Sequence, residues 1–320
     1  MENMMKTYYK RRLHDRDDGW RVRDIDNVYT IVPYVLRTRI DSQCFFEEEI
    51  DVDRVEAFIR AHKQDIPNLT IMHIVIAAMV RIMSQRPYIN RYIVYNKLYA
   101  HNCIQISLCI KRSLTDRGVE TVIKPVFEPT DTLTDVVDKI NALVAENMED
   151  TAENSSDSTA STLGKLPSWA LRIIVQGMRA LDSIGLLPKS VRTASPWHTG
   201  AFITNVGSLG IGPIYHHLYE FGTCSFFVAM GRKERRTFTD EKGNTFTARH
   251  LGLRYVIDER VCDGHYYAVS MRLMRRLMNN PEMLLLPPER IVMDDGVTHP
   301  VEPDNLIDRF NNRPDKTKKE

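Results

Sequence analysis

Apolar and polar residues recur along most of the chain with the periods of regular secondary structure. Residues 103–111, CIQISLCIK, alternate strictly, which predicts a strand with one buried face. Residues 51–64 and 132–148 repeat apolar side chains every three or four positions, as one face of a helix requires. Residues 71–80, IMHIVIAAMV, predict a buried helix that Thr70 caps. Because a bilayer crossing needs ~20 apolar residues, this run predicts no membrane span.

The second half of the chain predicts mainly strands, followed by one helix. The segments with strand character are residues 121–127, 199–207, 225–231, 234–240 and 244–258. The turn residues EKGN, 241–244, join the last two as a hairpin. A helix follows Asp263, which is a natural N-cap. Strands and helices mix without a regular βαβ repeat, so the sequence predicts an α/β fold with a mixed sheet.

Three segments are expected to lie outside the main body of the protein. Residues 1–34 are predicted to form an N-terminal arm before a single domain that spans residues 35–299. Within that domain, residues 149–165 are rich in Ser and Thr and predict a flexible linker. The charged tail, residues 300–320, is predicted to be disordered.

Residues 166–188 predict an inserted amphipathic helix. Arg172 and Arg179 fall seven positions apart and therefore share one face of it. The pattern favours a helix packed against its own or a neighbouring subunit. A lid and a helix lying on a membrane surface are the alternatives.

Composition narrows the partners and the compartment. Among 320 residues, 43 basic and 42 acidic side chains nearly balance, so no electrostatic signature for nucleic acid is present. The five cysteines are scattered without a C-x-x-C pair, which favours reduced thiols and a cytoplasmic protein. The polar N-terminus lacks the apolar core of a secretory signal.

Two short motifs are better explained by structure than by ligand binding. GSLGIG, residues 207–212, lacks the Lys-Ser/Thr of a phosphate-binding loop and predicts turns. His216 and His217 are adjacent and point in different directions, with no Cys or third His at ligand spacing, so no metal site is predicted. No serine or cysteine nucleophile is paired with a recognisable base in the sequence.

The stretch DERVCDG, residues 258–264, stands between the last strand and the last helix. It resembles the H-x-x-x-D-G signature of the 2-oxoacid dehydrogenase (dihydrolipoyl) acyltransferase catalytic domain and of chloramphenicol acetyltransferase. The resemblance covers roughly residues 35–148 and 199–285, through the segments RTRIDSQCFFEEEIDVDRVEAF, LTIMHIVIAAMVRIMSQRPYINRYI, YAHNCIQISLCIKR, TVIKPVF, GAFITNVGSLGIG and CSFFVAMGRKERR. Glu259 replaces the histidine of the signature.

This resemblance implies a chloramphenicol acetyltransferase-like two-layer α/β sandwich in a stand-alone form. It also implies a homotrimer with active sites at subunit interfaces, where an acyl group passes from acyl-coenzyme A to a thiol, hydroxyl or amine acceptor. No metal is implied. The alternative is a catalytically inactive relative that binds coenzyme A or an acyl group, or acts as a scaffold.

The same resemblance assigns roles to individual residues. Asp263 corresponds to the structural aspartate of the signature, and Thr204 to the hydroxyl residue that hydrogen-bonds the tetrahedral oxyanion. The residues expected on the coenzyme A side are Asn205, Gly207 and Gly264.

Glu259 leaves three hypotheses open. In the first, burial raises the proton affinity of the carboxylate until it serves as a general base. In the second, Glu259 forms an ion pair with Arg254, or with Arg260 of a neighbouring subunit, in a non-catalytic protein. In the third, a displaced histidine is the base, either His265 or one of the pair at 216 and 217. His265 is also an ordinary polar residue for the first turn of a helix.

Overall fold

The fold comes from a computed structural model that describes residues 12–111, 120–148, 163–239 and 242–297. The predicted tail at 300–320, most of the predicted linker at 149–165 and the first part of the predicted arm therefore lie outside the described residues.

The described residues form strands and helices in a mixed order. The strands are β1 Gly19–Arg21, β2 Gln43–Asp51, β3 Arg91–Val94, β4 Lys97–His101, β5 Ile104–Lys111, β6 Glu120–Ile123, β7 Val126–Phe127, β8 Ala201–Asn205, β9 Phe226–Thr239 and β10 Thr245–Asp258. The helices are α1 Asn27–Val35, α2 Val52–Ala61, α3 Ile71–Gln85, α4 Leu133–Met148, α5 Ser168–Ser183, α6 Lys189–Ala194 and α7 Gly264–Asn279.

The main sheet is mixed, as the sequence predicts. Its order is β2-β10-β9-β8-β5-β6, and β7 also pairs with β5. Strands β2, β10 and β9 are antiparallel, whereas β8 runs parallel to both β9 and β5. Strands β1, β4 and β3 form a separate small sheet.

The two faces of the main sheet are covered differently. The face called here the helix face packs against α2, α3, α4 and α7, and it includes Val228 and Ile257 in the principal core. Alternate residues point the other way, so Phe227 and Val256 join a smaller cluster with Leu218. This second face, called the loop face, is covered by the irregular segment 211–222.

Helix α3 is central because its sequence leaves no polar side. Nearly all of its residues are buried, and Thr70 and His73 form a reciprocal capping box at its start. Arg81 is its buried cation, and this side chain donates to the main-chain carbonyls of Met283 and Leu286. Among the helices of the described ranges, none has the length and apolar character needed to cross a bilayer.

The structure corrects three predicted boundaries. The strands predicted separately at 225–231 and 234–240 are one continuous strand, β9. The helix predicted over 166–188 ends at Ser183, and Gly185 follows with φ of 75°. The described part of the predicted N-terminal arm is not separate from the body, because β1 pairs with β4 and α1 lies beside β2.

A buried polar cluster joins the small sheet to α5. Arg16 bonds Asp18 at 2.8 Å and Asp182 at 2.6 Å, and the Tyr92 hydroxyl donates to Asp18 at 2.8 Å. His101 lies against the Tyr92 ring, with 4.2 Å between ring centroids. Burial lowers the pKa of His101 from 6.5 to about 4, although the Asp18 charge opposes this shift.

We expect the free energy of unfolding to fall as the pH drops from 6.5 towards 4. In this window the unfolded chain takes up a proton at His101 that the folded chain does not, so acid favours unfolding by roughly 2–3 kcal/mol. Urea unfolding at two pH values, in wild type and His101→Asn, measures this contribution. The His14→Asn variant is the control because His14 is exposed. An unchanged pH dependence in His101→Asn would contradict the assignment.

Candidate functional site

The stretch 258–264 forms the turn between β10 and α7. Glu259 directly follows β10, and its main-chain N–H donates to the Ser42 carbonyl at 2.9 Å, which ties the turn to the start of β2. Asp263 caps α7 by accepting a hydrogen bond from Tyr266 N at 2.8 Å. The cap predicted at Asp263 is therefore present, and Glu259 is held between two anchored ends.

A buried ion pair supports the turn from beneath. Arg260 donates to both carboxylate oxygens of Asp258, at 2.8 and 2.7 Å, and also to the Leu36 carbonyl at 2.9 Å. The Asp258 and Arg260 side chains are 0% and 2% exposed. Arg39 approaches the same carboxylate at 4.0 Å. Asp258 and Arg260, the residues on either side of Glu259, are held by this buried pair. The backbone of Glu259 therefore has little freedom to move.

Glu259 lines a cavity of about 320 Å³ between α1, β2 and α7. The apolar lining consists of Val28, Val32, Leu36, Phe46 and Ile257. Polar groups reach the cavity from Tyr29, Cys44, Asp263 and Tyr267. One end of the cavity is therefore acidic, whereas most of its wall is hydrocarbon.

Cys44 contacts the carboxylate of Glu259 directly. Its Sγ donates to Glu259 Oε2 at 3.2 Å. Burial raises the pKa of Cys44 to about 11, and the hydrogen bond to Glu259 and its negative charge add to the effect. Cys44 therefore remains a thiol near neutral pH and does not act as a thiolate nucleophile.

Two tyrosines complete the polar end of the cavity. Burial raises the pKa of Tyr29, and the nearby Asp263 carboxylate contributes to the shift. The Tyr267 hydroxyl is buried and has no hydrogen-bond partner among the described residues. Such an unpaired hydroxyl is costly, and its oxygen is closed off from solvent.

The predicted oxyanion residue lies elsewhere in the same chain. Thr204 is on β8, two residues beyond Phe202 and hence on the loop face, whereas Cys44 and Glu259 line a cavity bounded by the helix face. Thr204 is paired with Ala229 of β9, which is in turn paired with Arg254 of β10. Arg254 comes before Glu259 in the chain, by about 16 Å along the strand. One chain does not bring Thr204 and Glu259 together.

The three residues predicted on the coenzyme A side have separate positions. Asn205 accepts a hydrogen bond from Ser208 N at 3.3 Å and so caps a short 3₁₀ turn. A Cβ on Gly207 would lie 2.3 Å from the Gly231 carbonyl oxygen, so this glycine permits close backbone packing. Gly264 alone of the three lines the cavity beside Glu259.

The alternative histidines lie away from Glu259. His265 is exposed in the first turn of α7 and is not among the residues that line the cavity. His216 stacks on Phe227 at 4.1 Å, on the loop face. His217 is exposed beside it. Among the histidines of the described ranges, none takes the position of the signature histidine.

The two arginines considered as partners of Glu259 are engaged elsewhere. Arg254 contacts Glu47 at 3.1 Å and Glu49 at 3.6 Å, and Arg260 is buried against Asp258. Among the described residues, no basic side chain forms an ion pair with Glu259.

The structure adds residues that the sequence did not indicate. Cys44, Tyr29 and Tyr267 surround the glutamate, and α1 supplies one wall of the cavity. A signal for α1 was available, because Asp26 precedes an apolar run and its side chain accepts from Val28 N. Cys44 is 215 residues from Glu259, so only the β2–β10 register brings them together.

A serine and a histidine also lie in contact, a pairing that the sequence does not reveal. Ser195 Oγ lies 2.7 Å from His198 Nδ1, and His198 Nε2 lies 3.4 Å from Asp182. Burial would raise the pKa of Asp182, but the hydrogen bond with His198 and the Arg16 charge hold it below its ordinary value. All three residues are buried and link α5 to the body. The arrangement is thus a structural connection.

No protein-family profile matches the sequence, and no curated protein matches it significantly. Solved structures share its architecture. A probable dihydrolipoamide acetyltransferase from Listeria monocytogenes aligns with a TM-score of 0.50 and 14% identity, over 80% of this chain and 93% of its own. Dihydrolipoamide acetyltransferase from Azotobacter vinelandii gives 0.47 and 13%, over 81% and 89%, and a chloramphenicol acetyltransferase gives 0.47 and 9%, over 80% and 99%.

The chain shares the fold of the Listeria protein. The predicted α/β sandwich with a mixed sheet is therefore confirmed. At this level of identity the likeness concerns architecture, so the chemistry of the cavity has to be argued from the residues that line it. In this chain, the group that follows β10 is a carboxylate with a thiol as its contact.

Proposed function

We propose that the protein is an acyltransferase that moves an acyl group from acyl-coenzyme A to an amine, hydroxyl or thiol acceptor. The observation that carries this proposal is the environment of the Glu259 carboxylate. Its carboxylate lines an apolar cavity of about 320 Å³ and is not neutralised by a described basic side chain. A carboxylate held in such a place is available to accept a proton.

The proposed reaction uses Glu259 as general base. The carboxylate takes the proton of the acceptor while the acceptor attacks the thioester carbonyl, which gives a tetrahedral oxyanion. The oxyanion then collapses, the carbon–sulfur bond breaks, and the departing coenzyme A sulfur receives the proton. The acylated acceptor and free coenzyme A are the balanced products. A donor near the carbonyl oxygen is required during this step.

We place the oxyanion donor on a second copy of the chain. Glu259 and Thr204 are too far apart in one chain, whereas an interface between subunits would bring two surfaces together. Apolar side chains of α1 near the cavity are exposed in the single chain, including Val28 at 63% and Ile31 at 59%. Covering them in a homotrimer would also exclude water from Glu259 and raise its proton affinity.

The second candidate function is binding without catalysis. One observation favours it: Glu259 is exposed in the single chain and already accepts a hydrogen bond from Cys44. An exposed carboxylate is not shielded from water as a general base in a closed site would be, unless a neighbouring subunit covers it. The chain would then bind coenzyme A or an acyl group, or act as a scaffold.

Thermal unfolding of the purified protein with coenzyme A, acetyl-coenzyme A and longer acyl derivatives tests both functions. We expect the midpoint to rise with ligand concentration, because binding to the folded state alone stabilises it by about 2.7 kcal/mol at a hundredfold excess over Kd. Formation of free coenzyme A, quantified by chromatography in the presence of amine, hydroxyl or thiol acceptors, then separates catalysis from binding. A flat thermal response across all derivatives would contradict any coenzyme A function.

A further inference from the structure

Helix α5, Ser168–Ser183, is attached to the body along one narrow side. Asp182 is its one buried residue. Leu171, Val175 and Met178 are half-buried and recur every three or four positions, so they mark the side that faces the body. Most of the circumference of the helix is therefore exposed.

An apolar strip runs along the exposed part of α5. Trp169, Ile173 and Ile184 are 69%, 64% and 65% exposed. At about 100° per residue, these three side chains project within roughly 60° of one another. Ile174 and Leu181 widen the strip and are also exposed. An amphipathic helix of a globular domain normally turns such a strip towards the core, and α5 turns it away.

All exposed charge on this segment is positive. Arg172 and Arg179 lie on the flank of the apolar strip, and Lys165 and Lys189 lie at the two ends of the segment. Between residues 163 and 190 the one acidic residue is Asp182, which is buried and paired with Arg16 at 2.6 Å. The whole chain carries a formal charge of only +1, so the positive charge is concentrated locally.

The attachment holds the strip outward. Gly185, with φ of 75°, ends the helix, and Leu186 N donates to the Leu181 carbonyl at 2.8 Å. Asp182 is fixed by Arg16, and the following Leu187 is buried. A helix anchored at this end cannot rotate its apolar strip inward without breaking the buried ion pair.

We propose that α5 binds the surface of an anionic lipid bilayer. The strip of Trp169, Ile173 and Ile184 would enter the boundary between headgroups and acyl chains, while Arg172 and Arg179 contact lipid phosphates. Tryptophan suits this depth because its ring is apolar and its N–H is polar. A symmetric contact between two copies of α5 would bring the same arginines together, so charge favours lipid over self-association.

Flotation of the full chain with lipid vesicles tests this inference. We expect binding to vesicles of phosphatidylcholine mixed with phosphatidylglycerol, little binding to phosphatidylcholine alone, and weaker binding at high salt. Trp169 emission should shift to shorter wavelength on binding, since Trp20 is buried and Trp197 is half-buried. If Trp169→Phe still floats with the vesicles but no longer shows the emission shift, Trp169 is the residue whose fluorescence reports binding.

Paired variants separate the two parts of the surface. We expect at least tenfold weaker vesicle binding in each of two double variants. Arg172→Glu/Arg179→Glu removes two basic side chains, each of which contributes about fivefold near an anionic surface. Trp169→Ser/Ile173→Ser removes the apolar side chains that enter the bilayer. The matched controls are Phe246→Ser/Leu286→Ser, at exposed apolar positions, and Arg235→Glu/Arg272→Glu, with the same change in net charge. Circular dichroism verifies that each variant is folded.

The controls should bind as wild type does. Absence of wild-type flotation with anionic vesicles would overturn the proposal, as would equal binding by all four variants. A smaller oligomer for Trp169→Ser/Ile173→Ser in sedimentation, without any vesicle binding by wild type, would instead assign the strip to contacts between copies and would equally reject the lipid surface.

Discussion

Replacing Glu259 by Gln is expected to lower acyl transfer by about 10²–10⁴-fold while leaving coenzyme A binding nearly unchanged. The amide keeps the size of the side chain and can still contact Cys44, but it cannot accept a proton from the acceptor. The loss should therefore appear in kcat, not in the thermal shift caused by coenzyme A. The steady-state rate of coenzyme A formation from acetyl-coenzyme A, followed by chromatography, measures it.

Two further variants sharpen this test. Glu259→His introduces the imidazole of the H-x-x-x-D-G signature, whose unperturbed pKa near 6.5 suits a base at neutral pH, so transfer should persist. Glu282→Gln removes an exposed carboxylate outside the cavity and should have no effect. Full activity in Glu259→Gln would show that this carboxylate is not the base, whatever the acceptor.

The comparison also separates the two candidate functions. An acyltransferase loses turnover in Glu259→Gln but retains its coenzyme A response. A non-catalytic binding protein shows that response in both proteins and turnover in neither. Wild type and Glu259→Gln share the apolar wall formed by Val32, Leu36 and Ile257. A difference in turnover between them therefore comes from the one proton-accepting group.

Residues with a strong local pattern were predictable from the sequence. Strand β5, Ile104–Lys111, follows a strict alternation, and α3 follows an unbroken apolar run between a cap and a proline. Asp263 was predictable as the N-cap of α7 because side-chain caps act within one turn. In each case the interactions that decide the structure lie within a few residues.

Elements decided by distant contacts were not predictable. Strand β9 continues past Gly231 into a polar stretch, since β10 pairs with it over its whole length. Helix α1 contains Pro33 and exposes most of its apolar residues, so its pattern does not resemble that of a packed helix. The placement of Cys44 against Glu259 depends on β2–β10 register, which no local property of either segment reveals.

The separation of Thr204 from Glu259 has the same origin. The sequence places both on strand ends that resemble a known site, but strand order and side-chain alternation put them on opposite faces of one sheet. Within one chain Thr204 and Glu259 therefore do not form a common site. The proposed oxyanion donor from a second copy rests on this separation and on the exposed apolar surface of α1 around Val28.

Replacing Asp258 by Asn is expected to destabilise the fold by about 3–5 kcal/mol. Asp258 is the anion for Arg260 and lies 4.0 Å from Arg39, and both arginines are 2% exposed. Removing the negative charge leaves the buried Arg260 guanidinium without its carboxylate and takes from Arg39 the carboxylate that lies 4.0 Å away. Urea unfolding at neutral pH measures the loss, and acyl transfer should fall as well because the turn that holds Glu259 loses its support.

Removing both charges of the pair should cost less than removing one. In Asp258→Asn/Arg260→Met one buried cation is gone, so part of the stability should return, although Arg39 remains without its anion. Arg275→Met is the surface control: Arg275 bonds Glu48 at 2.6 Å but is 61% exposed, and its loss should cost no more than about 1 kcal/mol. Equal destabilisation by Asp258→Asn and Arg275→Met would mean that the buried pair does not stabilise the turn. The support for Glu259 would then come from the Ser42 hydrogen bond and the Asp263 cap alone.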